Sequence, residues 1–326
     1  MKLDYSTLYK VKKGDELLDG KVPNIKWYLP NFILKGFHTI IYGEGGCGKS
    51  TLLINVGLCI SSGKDSFMGK SIQGNVLFID EEMGDVGFKI KSNTIAKELG
   101  IEKEDIKDTW NYMCTNGWMW DVELSVGWLE WFCKENKIDV VIIDSLVGSA
   151  STDITTQLSI SKLKKLLKWG YNNNVTFIIN HHTNKEGSGE GKVANAKSMY
   201  GSIIIDQTVD HSYGINRYDN KLVIQQNKAR WVPPENKLNI NVPIKSMTYG
   251  KPYGSSGYEY KDVILETLEN LKKGRYKDLQ EIIVPKKGTN ANVKKKTMSE
   301  ATLSKYLKIL CTENKVKKEG DWYTPS

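Results

Sequence analysis

Residues 38–51 read His38-Thr39-Ile40-Ile41-Tyr42-Gly43-Glu44-Gly45-Gly46-Cys47-Gly48-Lys49-Ser50-Thr51, and this stretch decides the fold. A β-branched run leads into G-x-x-x-x-G-K-[ST], and a helical pattern from Ser50 to Ser61 follows directly. Strand, glycine loop and helix in that order let successive backbone N–H groups converge on an anion at a helix N-terminus. Gly43, Gly45, Gly46, Gly48, Lys49, Ser50 and Thr51 are therefore expected to hold the phosphates of a nucleotide, with Cys47 at a free position of the motif. Lys49 brings a point charge to the β and γ phosphates, and the Ser50 hydroxyl is a candidate ligand for Mg²⁺.

Outward from this loop the same alternation recurs. HTIIYG, NVLFID, DVVIID and VTFIIN, then YGSIII and KLVIQQ, read as strands. The stretches Phe88 to Leu99, Leu124 to Asn136 and Ile160 to Tyr171 read as helices between them. Such βαβ units predict an α/β domain with a mostly parallel twisted sheet. The later strands, joined by turn pairs such as Asp219-Asn220, suggest an antiparallel extension. The expected division is an extended arm over 1–30, the nucleotide domain over 31–249, a Gly/Ser-rich linker over 250–257 and a small α+β unit over 258–326. That last unit shows helical patterns at Tyr260 to Lys272, Tyr276 to Ile283 and Ser299 to Glu313, then a hairpin around Glu319, Gly320 and Asp321, an order similar to a winged helix.

Strand ends carry the chemistry in open α/β sheets. Asp144 closes the run Val140 to Ile143 and is expected to serve the Mg²⁺ through water. Asp80-Glu81-Glu82 closes another strand. A hydrolytic site needs a base facing the γ phosphate, and Glu82 is the acid chosen for it. His182, after Val175 to Asn180, is placed to touch the γ phosphate.

Composition bounds the rest. The chain has 326 residues, 40% hydrophobic and 26% charged, as a globular protein does. No apolar run is long enough for a membrane span or a signal peptide, so a cytoplasmic location is expected. Five scattered cysteines, read as reduced thiols, and four histidines, two of them adjacent at His181 and His182, offer no zinc spacing. The net charge is +8, and residues 258–326, with 15 basic and 10 acidic residues, carry +5 of it. An anionic partner fits that excess.

In this order, FHTIIYGEGGCGKST, VLFIDEEM, VVIIDSL and FIINHHTNK, preceded by Trp27 and Pro30, resemble RecA-like ATPases of the plasmid RepA-type replicative helicase family. The resemblance covers about residues 23–235. It implies a RecA-like P-loop NTPase core using ATP and Mg²⁺, with Glu82 as catalytic glutamate, Asp144 as Mg²⁺ aspartate and His182 as γ-phosphate sensor. Lys228-Ala229-Arg230 matches the Lys-x-Arg that ring helicases send into a neighbouring subunit's ATP site. Lys185, Lys192 and Lys197, in the Gly/Ser-rich segment after the sensor strand, fall where family members contact single-stranded DNA. Ser149 to Thr156 falls at the other channel-facing loop.

The implied protein is a homo-oligomer, expected as a hexamer, with a primase or polymerase acting in trans. No globular domain is expected ahead of the core. The C-terminal unit is an addition to the family pattern, with Ser299 to Lys308 and Lys286, Lys287, Lys294, Lys295 and Lys296 as candidates for DNA or protein binding. The functional expectation is a replicative DNA helicase of phage or plasmid type. The alternatives are a recombination or loading ATPase that does not unwind, and an ATP-switched DNA-binding regulator.

Overall fold

The computed structural model describes residues 14–19, 25–183, 203–218, 220–230, 238–252, 264–265, 267–269, 271–283, 299–312 and 315–325. Helix α1 (Gly14–Asp19) precedes a small hairpin of β1 (Trp27–Leu29) and β2 (Ile33–Leu34). The end of the expected arm is thus core rather than covering. Tyr28 and Leu29 are fully buried, and Tyr213 Oη donates to the Phe32 carbonyl at 2.9 Å. The alternating Trp-Tyr-Leu and Phe-Ile-Leu triplets have enough apolar surface to bury once Pro30 and Asn31 turn the chain between them.

Among the described residues the main sheet has nine strands. They are β3 (Thr39–Gly43), β4 (Val76–Asp80), β5 (Trp110–Cys114), β6 (Val140–Asp144), β7 (Thr176–His182), β8 (His211–Tyr218), β9 (Lys221–Ala229), β10 (Asn239–Lys245) and β11 (Thr248–Tyr249). Their order is β11-β10-β9-β8-β3-β7-β6-β4-β5. From β8 to β5 every neighbouring pair is parallel, whereas β9, β10 and β11 add antiparallel. The run of parallel strands follows from the helical crossovers, and the short β8–β9 turn permits only an antiparallel pair.

Alternate residues of each strand feed two cores. Ile41, Phe78 and Ile142 pack on one face with Leu52, Ile54 and Val56 of α2 (Lys49–Ser62) and Phe88 and Ile95 of α3 (Asp85–Glu98). Tyr42, Ile79 and Ile143 pack on the other. Their partners there are Leu129 and Cys133 of α5 (Glu123–Glu135) and Leu163, Leu166 and Leu167 of α6 (Gln157–Asn173); the short α4 (Lys103–Ile106) lies between α3 and β5 in the chain. Helix α2 is apolar nearly all round because it is buried nearly all round. Helix α6 carries one apolar stripe. It starts where the Thr156 hydroxyl accepts Ser159 N–H at 3.1 Å and stops at Asn174 in the left-handed region.

Two local expectations change. Ile203 to Ile205, expected as strand, opens the short helix α7 (Ile203–Thr208). Ile205 is buried within it, and a run of three isoleucines reads as strand by composition alone. Strands β5, β8 and β10 were not expected. Strand β5 is an edge strand, only partly covered, and its Trp-Asn-Tyr-Met-Cys composition lacks a β-branched run.

After the sheet, the described residues of 264–271 are helical, followed by helices Tyr276–Ile283 and Glu300–Thr312 and a hairpin of Val316–Glu319 with Trp322–Pro325. They share a core of Ile264, Leu268, Leu279, Leu303, Leu307, Leu310 and Val316. All five cysteines are free thiols, and burial pushes Cys59 and Cys133 up to about 12. Among the described residues no helix is long and apolar enough to cross a membrane.

Candidate nucleotide site

The register of the parallel strands lines up their ends. Gly43 pairs with His182, and Asp80 pairs with Asp144, so β3, β7, β6 and β4 deliver four candidate positions to one sheet edge. The phosphate loop then crosses from β3 to α2. Gly43 has no room for a side chain, because a Cβ there would lie 2.5 Å from the Ile215 carbonyl oxygen and 2.9 Å from Cys47 Sγ. Gly48 stands at φ 100 immediately before Lys49, in backbone space that favours glycine. No side chain caps α2, and its first turn holds no acid. Its leading N–H groups and dipole therefore face the loop, ready for an anion.

Lys49 is buried, and its ammonium donates to the Gly43 carbonyl at 2.8 Å and the Glu44 carbonyl at 2.7 Å. This ties the charge to the loop that would wrap a phosphate. Cys47 is buried beside it. Desolvation pushes its thiol up and Lys49 only partly offsets this, so Cys47 packs as a small apolar group.

The three consecutive acids separate by what they touch. Asp80 caps its own turn, accepting the N–H of Met83 and of Gly84, the latter at 2.9 Å. Glu81 turns away to accept the N–H groups of Gly117 and Trp118 at 3.2 and 3.0 Å. Glu82 faces the phosphate loop. Its Oε1 accepts from the Ser145 hydroxyl and meets His182 Nε2 at 3.0 Å. The His182 hydrogen bond, with help from Ser145 and Lys49, holds the Glu82 carboxyl below its usual range against the pull of burial.

Asp144 is fully buried at the end of β6. Burial pushes its carboxyl up to about 6, and hydrogen bonds from Asn180 and Ser50 moderate the rise. Oδ1 accepts from Asn180 Nδ2, while Oδ2 is buried without a full hydrogen bond. An orphaned carboxylate oxygen next to the Ser50 hydroxyl is a hard-oxygen donor set that fits Mg²⁺, which holds few protein ligands and keeps waters and phosphate oxygens. Ser50 would bind the ion directly and Asp144 through water. Among the described residues there is no cluster of three or more His, Cys, Asp or Glu side chains able to hold a metal.

Lys228 and Arg230 lie elsewhere. Ala229 pairs with His211, which pairs with Thr39, so both sit at the sheet edge opposite the phosphate loop. Four residues of β3 separate that level from Gly43, roughly 13 Å of strand. Lys228 Nζ donates to the Asp206 carbonyl at 2.7 Å, and burial lowers its pKa. Arg230 is half-exposed; it donates to the Gln207 carbonyl at 2.9 Å and lies 3.5 Å from buried Asp210. Lys185, Lys192 and Lys197 lie outside the described residues, as do Lys286, Lys287, Lys294, Lys295 and Lys296.

Three site residues escaped the sequence reading. Ser145 and Asn180 adjoin strand-end positions already assigned, and their roles depend on which way each strand end points. Tyr249, on β11, puts its hydroxyl 3.9 Å from where a Gly48 side chain would begin. That approach comes from a hairpin far downstream, beyond the reach of local pattern.

Comparisons with solved structures bear on the fold. Among solved structures, one described as an "ATPase Domain" aligns with a TM-score of 0.53 at 15% identity, covering 72% of this chain and 95% of that one. A DnaB-like replicative helicase, described with its interactions with primase, aligns with a TM-score of 0.53 at 14% identity, over 72% of this chain and 66% of that one. The RadB recombinase aligns at 0.49 and 16%, over 73% and 95%. No curated protein matches. The core thus has the RecA-like P-loop ATPase fold. A family model described as "AAA domain" matches residues 6–188, more than half of the chain, and the chain therefore belongs to the AAA domain family.

Proposed function

We propose that the protein is an ATP-dependent DNA helicase of the replicative phage or plasmid type, a homo-oligomeric ring, expected as a hexamer, that couples hydrolysis to movement along single-stranded DNA. The observation that supports this reading is the separation of the candidate site residues into two groups. Lys49, Ser50, Asp144, Glu82 and His182 gather at one sheet edge, while Lys228 and Arg230 stand at the other. A chain cannot fold Arg230 onto its own loop, but a second copy placed head to tail can supply it.

In that assembly the loop N–H groups and Lys49 hold the β and γ phosphates, and Thr51 continues the helix behind Ser50. Glu82, kept ionised by its hydrogen bonds, takes a proton from water attacking the γ phosphorus as the bond to the ADP oxygen breaks. Ser50, directly, and Asp144, through water, would hold Mg²⁺, which would neutralise charge on the phosphate oxygens. His182 joins Glu82 to the segment holding Lys185, Lys192 and Lys197, so loss of the γ phosphate can alter the DNA grip. Arg230 from the neighbour stabilises the transition state, a contribution of about 10³ to 10⁵ in rate in comparable sites.

The C-terminal unit is proposed as a winged-helix-like module that binds DNA or a replication protein such as a primase or polymerase. A strand-displacement assay on a forked substrate with ATP tests the whole reading; failure to unwind, with no DNA stimulation of hydrolysis in assembled protein, refutes it. A head-to-tail contact can also leave an open helix of subunits, and this favours the second reading, a recombination or loading ATPase. Electron microscopy of the ATP-bound protein separates rings from filaments.

A further inference from the structure

We propose that Ser145 is the positioning residue for Glu82, and that the braced loop 145–152 holds it in place. The inference rests on Glu82 acting as the base.

Ser145 is fully buried, and its hydroxyl has two partners. It donates to Glu82 Oε1 and accepts the Gly148 N–H at 3.2 Å. With His182 Nε2 also on Oε1, two groups hold one oxygen of the carboxylate and aim the other. The loop itself lies on the glutamate, since a Cβ at Gly148 would come 3.3 Å from Glu82 Cγ and 3.4 Å from Ser145 Oγ.

Behind this contact the loop is braced along its length. Trp120 Nε1 donates to the Leu146 carbonyl at 2.8 Å, and Trp120 N–H donates to the Ser149 carbonyl at 3.0 Å. Buried Asp121 accepts from the N–H and hydroxyl groups of both Ser151 and Thr152, at 2.7 to 3.1 Å. The braces leave Val147 and Gly148 exposed at the tip. These braces therefore fix the Ser145 hydroxyl, and with it the carboxylate of Glu82.

The test compares the full-length S145A, S145T, G148A and E82Q proteins under assembling conditions. Hydrolysis is measured at saturating ATP, and binding with a non-hydrolysable ATP analogue. S145A should lower kcat roughly tenfold, the scale of one hydrogen bond to a charged group, with analogue affinity unchanged, and S145T should recover most of the loss. G148A, which keeps the hydroxyl but crowds Glu82, should also lower kcat alone; it carries the test if S145A does not fold. Wild-type kcat in folded S145A, or in G148A where that variant must decide, overturns the proposal. An active E82Q overturns the reading beneath it, whereas inactive E82Q beside normal S145A sinks only the positioning role of Ser145.

Discussion

Replacing Asp144 by asparagine should make the nucleotide-free protein more stable while abolishing hydrolysis. The Asp144 carboxyl rises from 3.8 to about 6 because it is buried without full compensation. Two units at about 1.4 kcal/mol each set the cost of holding it ionised at neutral pH at about 3 kcal/mol, an upper bound. The substituted amide removes the charge and its oxygen can still accept from Asn180, so a net gain of about 1–3 kcal/mol is expected. At about 2–4 °C per kcal/mol for a domain of this size, Tm should rise by roughly 2–12 °C. The folded pKa lies above the unfolded one, so the folded state binds the proton more tightly. This group's contribution thus falls as pH rises from about 4 through 6. Thermal unfolding of both proteins, without nucleotide or Mg²⁺, should show the gap fully open at about pH 7.5 and nearly closed at about pH 4. A gap of equal size at both, or an Asp144→Asn protein less stable at pH 7.5, would refute the reasoning.

Glu82→Gln should retain nucleotide affinity and lose at least about a hundredfold in kcat, measured by phosphate release, as removal of a general base does. His182→Ala removes the leading cause of the low Glu82 pKa, so the acid limb of the pH–rate profile should move upward, towards the ordinary carboxylate range. Gly43→Ala drives a methyl group against the Ile215 carbonyl; urea unfolding should show a loss of about 1–3 kcal/mol, with nucleotide binding weakened as well.

Strand-loop-helix order made the sheet's core legible, because β3, β4, β6 and β7 are β-branched runs ending in polar residues. Their neighbours were harder to read. Strand β5 is an edge strand whose stability comes from pairing with β4, and α7 hides helical burial inside three isoleucines. At the site, spacing alone singled out Lys49, Ser50 and Asp144 as candidates. Among Asp80, Glu81 and Glu82 it chose Glu82 without showing where each carboxylate points, which depends on the N–H groups within its reach. Ser145 and Asp121 belong to the same class: their partners are set by how a loop returns to the sheet, and a linear pattern does not encode that return. The opposed placement of Arg230 required the antiparallel β8–β9 register.

The central claim, that neighbouring copies share each nucleotide site, is tested most directly by mixing two inactive variants. Arg230→Ala keeps its phosphate loop, and Lys49→Ala keeps its arginine. Combined under assembling conditions, they should form some junctions with both halves intact and recover ATP turnover well above either protein alone. A mixture no more active than its separate components, or a fully active Arg230→Ala protein, would contradict the account.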